Sequence, residues 1–186
     1  MAATMVYECG DDYRFVARIQ GDTAWAFLPG QTVALLQVPA ESGAQYELGG
    51  MALWIDGEGA RLTQGDDAGW ECVNNRRRAI WEHAKLNGAD FRAVGNEPGW
   101  HMELYPDVVV LVADYGAVSY EFATPEPTTD SSAIRTTYHS TNDSHQLTLV
   151  IEGRRCRDTM SGEEFAATVT VTIDARTLSG CGRPLH

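Results

Sequence analysis

The side chains able to do chemistry are scattered along this chain without the spacing of a catalytic motif. The sequence contains no G-x-S-x-G elbow, Walker loop, H-E-x-x-H motif or G-x-G-x-x-G fingerprint, and its five histidines form no i,i+4 pair. Glycoside hydrolases need two carboxyl groups. The candidates here are Glu97, Asp158, Glu163 and Glu164, but their spacing singles out no pair. We therefore expect no enzyme activity, no cofactor and no bound metal.

The four cysteines favour disulfides over a metal site. They are Cys9, Cys72, Cys156 and Cys181, and none of them has the C-x-x-C spacing of zinc and redox sites. An even number without that spacing is typical of two disulfides in an oxidising compartment, and three pairings are open. Pairing the first two and the last two would divide the chain into two closed units.

The composition is that of a globular protein with a strongly acidic balance. Of the 186 residues, 44% are hydrophobic and 22% are charged, and the formal net charge is -12. No apolar run approaches the roughly 20 residues that span a bilayer, so we expect no transmembrane segment in this chain. Nucleic-acid-binding proteins usually carry a basic face, so we expect no nucleic-acid partner. The negative charge suits a cationic partner, because opposite charge speeds encounter.

Short runs rich in β-forming residues alternate with turn signals over most of the chain. Signals such as Gly49-Gly50 and Asp56-Gly57 recur about every 8 to 12 residues, as in sandwiches and barrels. The pattern predicts an all-β protein whose strands lie within residues 13–73 and 91–173. Residues 1–74 are expected to form a small antiparallel β-barrel, and residues 89–186 a second, mainly antiparallel β domain. The polar segment 124–132 is predicted to be a loop.

Residues 75–88 differ from the β regions and predict a short linking helix. Asn74 or Asn75 is placed to cap its start, and Gly88 to end it. We expect the three arginines at positions 76–78 to be solvated. The apolar residues expected near one face are Ile80, Trp81, Ala84 and Leu86.

The segment Ser42-Gly-Ala-Gln-Tyr46 and its surroundings carry a resemblance to a known family. The matching elements are Tyr7-Glu-Cys9, Leu35 to Val38, Ser42 to Tyr46, Leu53-Trp54, Gly57, Ala60-Arg-Leu62 and Cys72. Through them the first third of the chain resembles the membrane-bound or periplasmic inhibitors of c-type lysozyme. The resemblance implies a small barrel with a terminal disulfide, in the envelope of a Gram-negative bacterium. It also implies a non-catalytic role, which is to plug the lysozyme cleft.

The resemblance also implies which residues make contact. Lysozyme cleaves with two cleft carboxyls. In the family a serine, here Ser42, donates to one, and a lysine in W-x-K-G pairs with the other. This chain has Asp56 at the lysine position. Two like charges about 4 Å apart repel by roughly 4 kcal/mol at an effective dielectric near 20, so Asp56 opposes the family mode. The candidate lysozyme-binding residues are Ser42, Gly43, Ala44, Tyr46, Asp56, Gly57 and, as a replacement cation, Arg61.

Three motifs of the C-terminal half are similar to an uncharacterised domain of bacterial envelope lipoproteins. They are Phe91–Trp100, Cys156–Gly162 and Leu178–Arg183. This resemblance implies a disulfide between Cys156 and Cys181 but no activity. We interpret the motifs as packing and turn signatures. The alternative is a binding site around Glu97, Trp100 and Asp158.

The leading hypothesis is a non-catalytic envelope protein that binds c-type lysozyme or another cationic hydrolase through the Ser42–Tyr46 loop. We expect it to be periplasmic or anchored to the outer membrane, with its export signal removed, and a lipid anchor in its precursor is compatible with this. One alternative is a repurposed barrel with a structural or ligand-binding role and no lysozyme inhibition. Another is a hydrolase in the C-terminal domain.

Overall fold

Alternating buried and exposed side chains build β-strands along most of the chain. The computed structural model describes residues 2–186, which fall into two units. The first unit ends at His83 and the second begins at Ala84. The predicted all-β architecture is confirmed, with a closed barrel, one short helix and a second antiparallel sheet.

The first unit contains a closed barrel of eight strands in sequence order, in which β1 also pairs with β8. β1 is not among the strands that the turn spacing predicts, because no turn signal precedes it. The strands are β1 (Ala3–Cys9), β2 (Arg14–Gln20), β3 (Thr23–Leu28), β4 (Gln31–Val38), β5 (Ala44–Leu48), β6 (Met51–Asp56), β7 (Gly59–Gln64) and β8 (Trp70–Asn74).

The barrel closes through three paired positions between β1 and β8. The last of these pairs, Cys9 with Cys72, is a disulfide between residues 63 apart in the sequence. A covalent bond across so short a seam restricts the unfolded chain and keeps the two end strands together. The closure leaves no free strand edge in this sheet.

Inward-facing side chains fill the barrel. Leu35, Leu53 and Leu62 are at most 1% exposed, and the rings of Tyr7 and Phe15 lie 5.3 Å apart in the same core. Burying one such leucine contributes about 1.5–3 kcal/mol relative to leaving it exposed. A compact aliphatic and aromatic core therefore supports the barrel beside the disulfide.

Helix α1 (Arg76–Leu86) follows β8 directly. Its start is capped by Asn75, whose side-chain oxygen accepts from the amide of Arg78 at 3.1 Å. At its end the amides of Gly88 and Ala89 bond back to the last turn, as in a Schellman motif. The predicted face needs one correction: Ile80 is 52% exposed, and the buried residues are Ala79, Trp81 and Ala84. No helix among residues 2–186 is long and apolar enough to cross a membrane.

The second unit is built on a nine-stranded antiparallel sheet with the order β12-β11-β10-β9-β19-β18-β15-β14-β13. The sheet curves into a half-barrel around its own hydrophobic core. A short turn at Asp114–Gly116 joins β11 to β12. The strands are β9 (Phe91–Asn96), β10 (Gly99–Leu104), β11 (Val108–Ala113), β12 (Val118–Ala123), β13 (Thr128–Asp130), β14 (Arg135–Thr141), β15 (Gln146–Glu152), β16 (Cys156–Arg157), β17 (Glu164–Phe165), β18 (Ala167–Ile173) and β19 (Arg176–Pro184).

Two parts of the second unit differ from the expectation. The predicted loop at 124–132 contains β13, which pairs with β14. The central strand β19 has the glycines Gly180 and Gly182, which weaken a strand signal. Both positions lack room for a side chain. A Cβ on Gly180 would lie 2.8 Å from the Trp100 ring, and one on Gly182 would lie 2.6 Å from the Phe91 ring.

The second disulfide joins Cys156 to Cys181 and so ties β16 to β19. β16 and β17 form a separate two-stranded sheet. Of the three pairings open from the sequence, the structure has the one that closes a loop within each unit.

Replacing both Cys9 and Cys72 by alanine should lower the free energy of unfolding of the barrel by about 4 kcal/mol, because the open chain regains loop entropy. Replacing Cys156 and Cys181 should cost the second unit about 3.5 kcal/mol, since 25 rather than 63 residues separate them. Hydrogen exchange in increasing urea measures amide protection in each unit. Unchanged protection of barrel amides after loss of the first pair would contradict the expectation.

Candidate functional site

In an up-and-down barrel, alternate connections lie at the same end. The turn 21–22, the loop 39–43 and the turn 57–58 therefore share one end. β8 also ends there, because Val73 pairs with Gly59, and helix α1 starts immediately afterwards. We call this the site end, because the predicted contact residues Ser42, Gly43, Asp56 and Gly57 belong to its connections and strand ends.

Gly43 seats the loop directly on the neighbouring strand. Its φ is +64°, and a Cβ there would lie 2.2 Å from the carbonyl oxygen of Ile55 and 3.3 Å from the Cβ of Asp56. Only glycine fits both the backbone angle and the close approach. Trp54 provides a second tie, since its Nε1 donates to the carbonyl oxygen of Ser42 at 2.9 Å. These contacts fix Ser42 and Asp56 relative to each other.

Ser42 and Asp56 are the polar side chains that this loop and the neighbouring strand end expose to solvent. Both are exposed, and neither side chain has a hydrogen-bond partner or an ion pair within the described part of the chain. The hydroxyl can donate or accept, whereas an ionised carboxylate only accepts. Ala44 is half-buried and pairs with Ile55, and Gly57 is exposed at the tip of the turn. The site therefore offers one donor beside one anion.

Arg61 is directed away from this site. It lies on the outer face of β7, where its Nε is 3.3 Å from a carboxylate oxygen of Glu71. It also donates to the carbonyl oxygen of Ala68 at 3.0 Å. Ala68 belongs to the connection 65–69, which lies at the opposite end of the barrel. The structure therefore has Arg61 bound towards the opposite end and not beside Asp56.

Tyr46 lies in the barrel core instead of on the surface. It is 4% exposed and sits opposite Leu53, which also points inward. Burial, followed by the charge of Asp22, raises the pKa of Tyr46. The tyrosine of the loop segment therefore anchors β5 in the core, while the loop residues before it reach solvent.

Glu58 binds Asn74 and Arg76, and we call this set of contacts the clamp; the sequence does not reveal it. Its carboxylate accepts from Asn74 Nδ2 at 2.9 Å and from Arg76 Nε at 2.8 Å, and its carbonyl oxygen accepts from the amide of Asn74 at 2.8 Å. Hydrogen bonds from Arg76, and then from Asn74, lower the pKa of Glu58. Arg76 is thus bound to the turn, whereas the sequence suggested only solvation. The partners are 16 and 18 residues from Glu58, so no local motif marks them.

The site end carries unneutralised negative charge. Asp22, Glu41 and Asp56 are exposed, and none of them forms an ion pair with any described residue. Each belongs to a connection or strand end at the site end. This charge is clustered, so it creates a local field that favours a cationic surface.

The motif residues of the second unit serve mainly its structure. Trp100 is 4% exposed and packs against Gly95, where a Cβ would lie 2.0 Å from the indole Nε1. Burial opposes ionisation of Asp158, but hydrogen bonds from Ser161 and Asn96 outweigh it and hold its pKa below the usual value. A general acid at neutral pH needs a raised pKa, so Asp158 is suited to anchoring its loop.

The four carboxylates considered for hydrolysis have different surroundings. Glu97 and Asp158 line a polar cleft of about 440 Å³. Glu163 is 3.1 Å from a guanidinium nitrogen of Arg183. Glu164 is exposed on β17. Within residues 2–186 no group of three or more His, Cys, Asp or Glu side chains is arranged to hold a metal ion.

Comparison with known proteins agrees with the first unit. Residues 7–71 match the family described as membrane-bound lysozyme-inhibitor of c-type lysozyme. The match covers six of the eight barrel strands in full and β1 and β8 in part, and supports a lysozyme-inhibitor role in general terms. Searches of curated proteins and of solved structures found no significant match.

Gly43→Ala should destabilise the barrel by more than Gly57→Ala. Both glycines have positive φ, +64° and +58°, so both substitutions carry the backbone cost of about 1 kcal/mol. Only at Gly43 does the new methyl group also meet backbone, whereas it meets nothing within 4 Å at Gly57. Urea denaturation of both variants measures the difference. Equal losses would show that the loop is not seated as described.

Acidification should release the clamp at Glu58. Its pKa is lowered in the folded state, so its contribution to stability is full above the unfolded value near 4.3 and is lost as the pH falls through the folded value. Glu58→Gln should therefore be less stable than the wild type at pH 7, and the gap should close in strong acid. Unfolding midpoints at several pH values measure this, and a gap independent of pH would refute it.

Proposed function

We propose that the first unit binds a c-type lysozyme or a related cationic hydrolase through its site end and inhibits it without catalysis. We also propose a periplasmic or outer-membrane-anchored location, in keeping with the family description and the disulfides. The observation that supports this most strongly is the seat formed by Gly43 and Trp54. It holds the exposed hydroxyl of Ser42 beside the turn at Asp56, which are the two positions that the resemblance assigns to the enzyme's cleft.

The charge of the protein supports a cationic partner. The net charge is -12, and three exposed carboxylates at the site end have no ion pair with a described residue. Complementary charge mainly raises the rate of encounter and falls with ionic strength. We therefore expect association with the enzyme to slow as salt is added.

Asp56 sets the strength of the complex. A carboxylate facing a cleft carboxylate costs about 4 kcal/mol at about 4 Å in a surface-like dielectric. The exposed side chain has freedom to turn outward, so the wild-type chain avoids part of this repulsion. Among the residues of the family match, Ser42 then supplies the contact within the cleft, and inhibition by the wild type should be weak.

Asp56→Lys should strengthen inhibition of c-type lysozyme by about tenfold or more, because it replaces a repulsive pair by an attractive one. Asp67→Lys makes the same change of net charge at the opposite end, in the connection 65–69. That control should alter inhibition far less. The measurement is the rate of cell-wall lysis against inhibitor concentration for the three proteins.

The outcomes separate the two functions considered for the barrel. Equal gains from Asp56→Lys and Asp67→Lys would mean that net charge, and not the site end, governs the interaction. Failure of both the wild type and Asp56→Lys to inhibit at micromolar concentration would rule out the proposal. Asp56 itself favours the second candidate in that case, a barrel repurposed for a structural or ligand-binding role in the envelope.

A further inference from the structure

The start of helix α1 belongs to the site end although it lies outside the family match. The match ends at residue 71 and the helix begins at Arg76. Asn74 and Arg76 both bind Glu58, so the first turn of the helix is tied to the turn 57–58. Side chains of this helical turn therefore flank the surface that carries Ser42 and Asp56.

The three arginines of this turn are not equivalent. Arg76 pairs with Glu58, and Arg78 pairs with Glu8 through Nε at 3.0 Å. Arg77 is exposed, and its side chain forms no ion pair or hydrogen bond with any residue between 2 and 186. Together with Glu58 and residues 73–76 it lines an open groove of about 790 Å³. Arg77 is therefore a guanidinium available to a partner at this end.

We propose that Arg77 is the cation with which this barrel contacts a carboxylate in the cleft of a c-type lysozyme. It takes the place of the lysine that Asp56 replaces. This inference rests on the proposed function and extends its contact surface beyond residue 71. A guanidinium suits the role because it can donate two parallel hydrogen bonds to one carboxylate.

The charges around Arg77 are consistent with this assignment. Glu58 and Glu8 are already bound by Arg76 and Arg78, so they compete less for Arg77. The carboxylates of Asp22 and Asp56 at the same end face a basic enzyme surface around the cleft. Arg61, the other candidate cation, is held by Glu71 and by a carbonyl of the opposite end.

The test measures the dissociation constant of the full chain with a purified c-type lysozyme by calorimetry. Arg77→Gln should weaken binding by at least about tenfold, as expected for a close charge pair. Arg77→Lys should retain most of the affinity. Arg61→Gln also removes one positive charge, but that charge is held by Glu71 and by a carbonyl of the opposite end, so it should have little effect.

A second enzyme form locates the contact. The second form is a lysozyme in which the cleft carboxylate that does not act as the general acid is replaced by the corresponding amide. With this enzyme, Arg77→Gln should raise the dissociation constant by less than about twofold, because the charge pair is already absent. The same penalty with both enzymes overturns the inference. Wild-type binding that is unaffected by Arg77→Gln also overturns it but leaves the proposed function intact. Absence of wild-type binding overturns both, since Arg77 is assigned to that complex.

Discussion

Closure of the barrel between β1 and β8 is the constraint on which the site depends. Three residue pairs, the Cys9–Cys72 bond and a hydrogen bond from the amide of Val6 to Asn74 Oδ1 join these strands, which are the first and last of the sheet. The closure sets the position of the end of β8, and therefore of Asn74. Asn74 in turn binds the turn at Glu58 through its amide and its side chain. The site end is thus organised from a seam whose two sides are distant in the sequence.

The loop that carries Ser42 is positioned by shape as much as by hydrogen bonds. Gly43 allows its backbone to lie against the carbonyl of Ile55, and the indole of Trp54 holds the carbonyl of Ser42. Tyr46, a few residues on, is buried in the core and fixes the register of β5. This short segment therefore exposes Ser42 to solvent and buries Tyr46 inside the barrel.

The sequence predicts much of the fold because turn signals and alternation are local properties. It identifies the barrel, the helix and most strands of the second sheet. It does not identify β1 or β19, because these strands depend on residues that are distant in the sequence. β1 forms by closing the barrel with β8, and the glycines of β19 leave room for the rings of Trp100 and Phe91. In the site, Ser42 and Asp56 are exposed as expected, but the inward position of Tyr46 and the direction of Arg61 depend on strand register. The register follows from the whole sheet.

The turn after β6 shows how charge is distributed at the site end. Asp56 at the end of β6 and Glu58 in the turn are separated by one residue, and within residues 2–186 only Glu58 has a cation bound to it, which is supplied by the helix. If Asp56 were the lysine of the family pattern, that lysine would stand beside Glu58 and compete with Arg76 for it. With an aspartate there, Glu58 is left to Arg76 alone, and the helix start is fixed to the barrel. Asp56 thus opposes the mode of binding that the resemblance implies, but it leaves Arg76 to hold the start of the helix at the site end.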